Sequence, residues 1–215
     1  MHCILVSGIP AAGKSTIARL LSHKLGIPVI SKDDIKEILF DHIGFTSREE
    51  KVRLGTASMN VMYYAASQML KTNTPFILEN NFENASRDGL NRLLADSDCP
   101  VLTITLTGDY ETIYRRFVER NISPDRHRGH VVNDCYPEKV HRANEELLAN
   151  TISLEQYIEG IRLRGFDAFV GGKDQIIVDT TDFTKVDIDE LFRRIDVWLK
   201  EASRAPSNKK KEVSE

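Results

Sequence analysis

The stretch "GIPAAGKS", Gly8–Ser15, decides the fold. Its two glycines, followed by Lys14 and Ser15, have the spacing of a Walker A phosphate-binding loop. In front of it, "CILVSG" is a short apolar run that reads as a buried strand. Behind it, "STIARLLSHKLG" sets Ile17, Leu20, Leu21 and Leu25 at helical spacing until Gly26 stops the pattern. Strand, tight loop and helix in that order turn backbone amides into one concavity at a helix N-terminus, where the helix dipole adds positive potential. The backbone at Gly8, Ala11, Ala12, Gly13, Lys14, Ser15 and Thr16 is expected to surround nucleotide phosphates. Lys14 reaches for the β- and γ-phosphates and Ser15 holds Mg2+. A chance glycine turn with a surface lysine would match the loop but not its flanking strand and helix.

Further apolar runs extend the pattern: "IPVIS" at 27–31, "PFILEN" at 75–80, "PVLTITL" at 100–106 and "QIIVDT" at 175–180. Each adjoins a helical stretch, the alternation expected when helices cover both faces of a parallel sheet. The expected fold is therefore α/β, a three-layer α/β/α arrangement around five parallel strands. In the long helix before the third strand, "SREE" has capping-box spacing from Ser47 to Glu50. Val52, Met59, Met62, Ala66 and Met69 recur on its apolar side, where methionine is an adaptable packing residue.

Composition sets limits on function. A chain of 215 residues with 41% hydrophobic and 28% charged residues can bury a substantial core, and residues 1–205 read as one domain. A net charge of -3 argues against a generally basic nucleic-acid-binding surface and leaves room only for local positive clefts. Cys3, Cys99 and Cys135 are scattered and odd in number, which disfavours a disulfide framework or a structural zinc site. With no signal-peptide pattern and no stretch of membrane-spanning length, the expected location is cytoplasmic.

Ligands of open α/β sheets gather beyond the C-terminal strand ends. After the second strand comes "SKDDIKEILFD". One acid of the Asp33–Asp34 pair can orient or deprotonate an acceptor hydroxyl, while the other caps the helix or approaches Mg2+ through water. Lys36 lies within a turn of them and can bind an acidic part of a substrate. The third strand ends in "FILENNF", where Glu79 can hold metal-bound water or position the acceptor and Asn80 can donate hydrogen bonds. After the fourth strand, Asp109 can cap a helix whose Arg116 and Arg120 share one face. With Arg126 and Arg128 of "RHRGH", these arginines can neutralise a transferring phosphoryl group and exclude water. The segment at about 116–135 thus reads as a lid, and His127 and His130 read as lid hydrogen-bonding groups rather than as metal ligands.

In this order, "GIPAAGKST", "SKDDIKEIL", "FILENNF", the arginine-rich segment and "IIVDTT" resemble P-loop kinases of the AAA_33 and zeta-toxin-like group, related to polynucleotide and nucleoside-monophosphate-type kinases. The resemblance implies ATP and Mg2+ as cofactors and phosphoryl transfer to a hydroxyl. It assigns Asp33 as the general base and Arg116 and Arg120 as phosphate-contacting lid residues. Asp179 and Thr180 become neighbours of the adenine. Arg128 stands where the group has a proline. The expected acceptor is a small molecule. A polynucleotide 5′-hydroxyl and a regulatory ATPase are the alternatives, and no membrane partner is expected. Beyond the lid, a helix is expected after Pro137, another in "DIDELFRRIDVWLKEAS" with Trp198 as a packing residue, and a disordered tail at 206–215.

Overall fold

The computed structural model describes residues 1–95 and 97–204, so the tail expected at 206–215 lies outside the described residues. Five strands form one parallel sheet: β1 Cys3–Gly8, β2 Val29–Ser31, β3 Phe76–Glu79, β4 Val101–Thr107 and β5 Asp174–Asp179, in the order β2-β3-β1-β4-β5. Period-2 alternation divides the side chains of these runs between two cores. Ile4, Val6, Ile77 and Ile104 pack with Ile17, Leu21, Ile113, Ile161, Leu191 and Ile195 on one face. Cys3, Leu5, Phe76 and Leu78 pack with Met62, Ala66, Phe82, Leu90 and Phe169 on the other. This is the three-layer α/β/α arrangement read from the sequence. Its edge departs in one respect, because Ile177 on β5 is exposed where cover on both faces was expected.

The helices are α1 Lys14–Leu25, α2 Lys32–Ile43, α3 Arg48–Lys71, α4 Arg87–Leu94, α5 Tyr110–Asn121, α6 Arg128–Val131, α7 Asn144–Ala149, α8 Leu154–Arg164 and α9 Ile188–Ala202. At the start of α3, Ser47 accepts the Glu50 amide, but the Glu50 carboxylate bonds to the Thr46 amide and hydroxyl instead of closing the expected box. Met62 and Ala66 are fully buried on α3 and Met59 and Met69 lean on the same core, whereas Val52 faces out. The helix expected after Pro137 begins only at Asn144. Trp198 packs as expected, and its indole N–H donates to Asp174 at 2.9 Å. A third, smaller core of Phe40, Phe45, Val132 and Leu147 joins α2 to the segment around α6. No described helix is long and apolar enough to cross a membrane.

Candidate active site

The loop between β1 and α1 is seated by its glycines. A Cβ on Gly8 (φ 130°) would fall 2.0 Å from the Leu106 carbonyl oxygen, and one on Gly13 (φ 88°) would fall 2.4 Å from the Phe183 ring. Only glycine fits between β4 and the turn after β5 at these two points. Ala11 holds a left-handed conformation (φ 66°), and the Tyr157 hydroxyl of α8 donates to the Pro10 carbonyl at 2.6 Å. Two of the amides expected to face phosphate are used internally: Gly8 donates to Asn81 and Ala12 to Ile9. Lys14, Ser15 and Thr16 form the first turn of α1, where amides have no partner within the helix. The Lys14 side chain is buried and donates to the Ile9 carbonyl at 2.8 Å. Burial pushes its pKa down to about 8, opposed by the nearby carboxylates of Glu79 and Asp33.

Ser31 and Glu79 are register partners at the C-terminal ends of β2 and β3. The Ser31 hydroxyl donates to Glu79 at 2.7 Å and accepts the Asp34 amide at 3.2 Å, so Ser31 caps α2 and neither aspartate does. Glu79 is 4% exposed, and burial raises its pKa while Lys14 and the Ser31 bond oppose the rise. Asp33 sits beside it in a cationic setting. Burial, the strongest influence, would raise its pKa, but Lys32, His130, Arg126 and Lys36 together hold it well below the ordinary carboxylate value. Asp34 is exposed on the next position of α2. The buried Asn80 amide donates to the Met59 sulfur at 3.7 Å, which turns it toward α3. Lys36 is partly buried with its ammonium 5.2 Å from the Phe40 ring centroid.

The four arginines of the expected lid separate into two pairs. Arg120 and Arg126 each bury an Nε–H that finds no acceptor among the described residues. Burial lowers both pKa values, that of Arg126 to about 10, and the charge of Asp33 acts on each. Arg116, expected beside Arg120 on phosphate, instead donates to the carbonyls of Thr180, at 2.6 Å, and Thr181. Thr180 also bonds through its amide and hydroxyl to the Thr107 carbonyl, and Asp179 accepts the Thr181 amide at 2.7 Å. The polar groups of "VDTT" are therefore engaged with one another and with Thr107, Asp109 and Arg116. Arg128 makes two bonds to Glu138, at 2.6 and 2.7 Å, and a third to the Arg142 carbonyl, so its guanidinium is turned away from the acceptor-side residues it was expected to join.

The histidines of "RHRGH" are held by carboxylates of α2. His127 pairs with Asp41 at 3.0 Å, and its other ring nitrogen accepts the Gly129 amide. His130 pairs with Glu37 at 2.9 Å, and burial pushes its pKa down to about 4, so at neutral pH its Nε2–H donates to the carboxylate. Lys51 on α3 donates to the carbonyls of His130 and Val132 and to the Asn133 side chain, at 2.6–3.0 Å. Sequence reading missed Ser31, Glu37, Asp41, Lys51 and Tyr157 in these roles. Only the Ser31 cap had a local signal, a serine three residues before an acid in "SKDD".

The chain is similar in fold to a proposed kinase from Chloroflexus aurantiacus, at 22% identity and a TM-score of 0.68, covering 94% of this chain and 97% of that one. A sugar kinase from Janibacter gives 15% identity and a TM-score of 0.52, covering 93% and 95%. A shikimate kinase from Bacteroides thetaiotaomicron gives 16% and 0.51, covering 93% and 98%. No curated protein matches the chain in sequence. The profile of the AAA domain family, AAA_33, matches residues 3–134, more than half of the chain, and the protein belongs to that family.

Proposed function

We propose that the protein is an ATP-dependent phosphotransferase that moves the γ-phosphoryl group to a hydroxyl of a small molecule, within one catalytic unit at 1–205 whose lid spans about 116–135. The observation that carries this reading is the pair of buried Nε–H groups on Arg120 and Arg126, without an acceptor among the described residues, beside Lys14, Glu79 and Asp33. A buried donor without an acceptor costs about 1–3 kcal/mol, a cost that a phosphate oxygen would remove. ATP fits the unpaired first-turn amides of α1 and Lys14. Mg2+ fits a hydroxyl and carboxylates supplemented by water and phosphate oxygens, with Ser15 and Glu79 as its holders and Asp34 further out. Bound there, the ion neutralises charge on the phosphates.

The chain's own residues then divide the work. Lys14 and the loop amides fix the donor, and Arg120 and Arg126 meet the charge of the transferring group from the lid side. Asp33 accepts a hydrogen bond from the acceptor hydroxyl and takes its proton. Its low proton affinity makes it an orienting group first and a base late in the reaction, which suits a loose phosphoryl-transfer transition state. Asp33→Asn tests this assignment. Transfer is expected to fall roughly 10²-fold or more with ATP affinity kept, and unchanged turnover would remove Asp33 from the mechanism. Label released only as free phosphate, whatever acceptor is supplied, would make the protein an ATPase.

A further inference from the structure

A cleft of about 510 Å³ lies between α2, α3 and α4 and is also lined by Arg164 at the C-terminus of α8. Its volume suits a molecule of sugar or small-acid size. Its walls are close-packed helices: a Cβ on Gly89 would fall 2.4 Å from the Tyr63 ring, and Tyr63 is fixed by donating to the Ser86 carbonyl at 2.9 Å. Four cations line it, Lys32, Lys36, Arg92 and Arg164, against the two carboxylates of Glu83 and Asp88. Glu83 is spent on Arg164 through two bonds of 2.5 and 2.7 Å, and Lys32 leans on Asp33 at 3.5 Å.

Lys36 is left without such a partner. It projects from α2 one turn past Asp33, lies over the Phe40 ring, and has no carboxylate within salt-bridge distance among the described residues. Gly55 on α3 faces it across the cleft, where a Cβ would lie in ordinary van der Waals contact, 3.6 Å from the ammonium nitrogen. Besides burial, the charges that act on it are those of Lys32, Arg126 and Arg164, of its own sign, and of Asp33, which opposes them. A partly buried ammonium among cations is unfavourable unless an anion joins it. Arg92, which also lines the cleft, is likewise free of ion pairs among the described residues.

Resting on the phosphotransferase reading, we infer that the acceptor carries an anionic group, a carboxylate or a phosphate, beside its reacting hydroxyl, and that Lys36 binds this group while the hydroxyl faces Asp33. The inference makes Lys36 a specificity determinant.

The test saturates the donor site with ADP and Mg2+ and titrates glycerate, glycerol 3-phosphate and glycerol, following the amide resonances of Lys36, Gly55 and Arg92. Saturable shifts at these residues are expected with at least one anion, whose apparent affinity exceeds that of glycerol by roughly tenfold or more. A preference for glycerate or for glycerol 3-phosphate distinguishes the two anions. Lys36→Met should abolish the shifts and Lys36→Arg should retain them, with ADP affinity unchanged in both. Absence of saturable anion binding, equal response to glycerol, or indifference to Lys36→Met would overturn the inference. A 5′-hydroxyl oligonucleotide binding more tightly than any small anion would also overturn it as stated. Saturable anion binding without ATP-dependent transfer would keep the anion site and remove the kinase reading, whereas transfer to a neutral acceptor insensitive to Lys36→Met would do the reverse.

Discussion

Arg126 and Arg128 flank the same histidine and meet opposite fates. Arg128 is saturated, with two bonds to the Glu138 carboxylate and one to a backbone carbonyl, all supplied by the loop that follows α6. Arg126 buries an Nε–H that has no acceptor among the described residues and shares its surroundings with Arg120, Asp33 and Glu37. One cation holds a loop together, and the other is, on the proposed reading, a contact for the transferred phosphoryl group. The same contrast separates Arg116, tied to the carbonyls of Thr180 and Thr181, from Arg120 on the next turn of the same helix. Positive charge in the sequence therefore does not identify a phosphate contact. The acceptors already provided by the protein decide which arginines remain available.

Substitutions can sharpen this contrast. Lys14→Ala should have the largest effect, lowering transfer by about 10²–10³-fold and weakening ATP binding, measured by turnover and calorimetry. Arg126→Ala should cost about 10²-fold in transfer and leave the melting temperature unchanged or slightly higher, because it removes an unpartnered buried donor. A parallel loss of folded protein would instead make Arg126 structural. Arg128→Ala should do the opposite. It strands the buried Glu138 carboxylate, costing about 1–3 kcal/mol of stability with a smaller effect on chemistry.

The pH dependence of the Arg128 effect has a definite sign. The Arg128 bonds hold the Glu138 carboxyl below its ordinary value of 4.5. A carboxyl depressed in the folded state stabilises above its unfolded pKa and loses that contribution as pH falls through the folded pKa. The stability gap between wild type and Arg128→Ala should therefore be full at neutral pH and close in acid below 4.5, as measured by denaturant unfolding.

The smallest effect should come from Tyr157→Phe. It removes the hydroxyl bond to Pro10 and with it about 1 kcal/mol, loosening the loop that Arg126 is meant to face. A severalfold rise in the ATP dissociation constant is expected, with the fold retained.

What the sequence made legible follows from how far each interaction reaches. Gly8, Gly13 and Lys14 lie in one contiguous segment whose spacing reflects backbone geometry, and the apolar runs became the parallel sheet because burial on both faces leaves a local pattern. The arginine-rich segment at 116–128 was visible as a group, but its internal division was not. The groups that hold His127, His130 and the segment after it are the accepting carboxylates of Asp41 and Glu37 and the donating ammonium of Lys51, 79–93 residues away along the chain. No periodicity encodes such pairings. Asn80 and Arg116 were misdirected for the same reason: Met59 and the turn at Thr180 reach them only in the fold. The late start of α7 and the half-formed capping box at Ser47 show that local signals compete with nearby tertiary and turn contacts.

The central claim is transfer rather than hydrolysis. It is tested most directly by following γ-labelled ATP with Mg2+ in the presence of hydroxyl-bearing acceptors, including anionic small molecules and a 5′-hydroxyl oligonucleotide, and separating label on acceptor from label in free phosphate. Label is expected on a small-molecule acceptor in excess of released phosphate, lost together with Arg126 and retained without Arg128. Label found only in free phosphate, or only on the oligonucleotide, would contradict it.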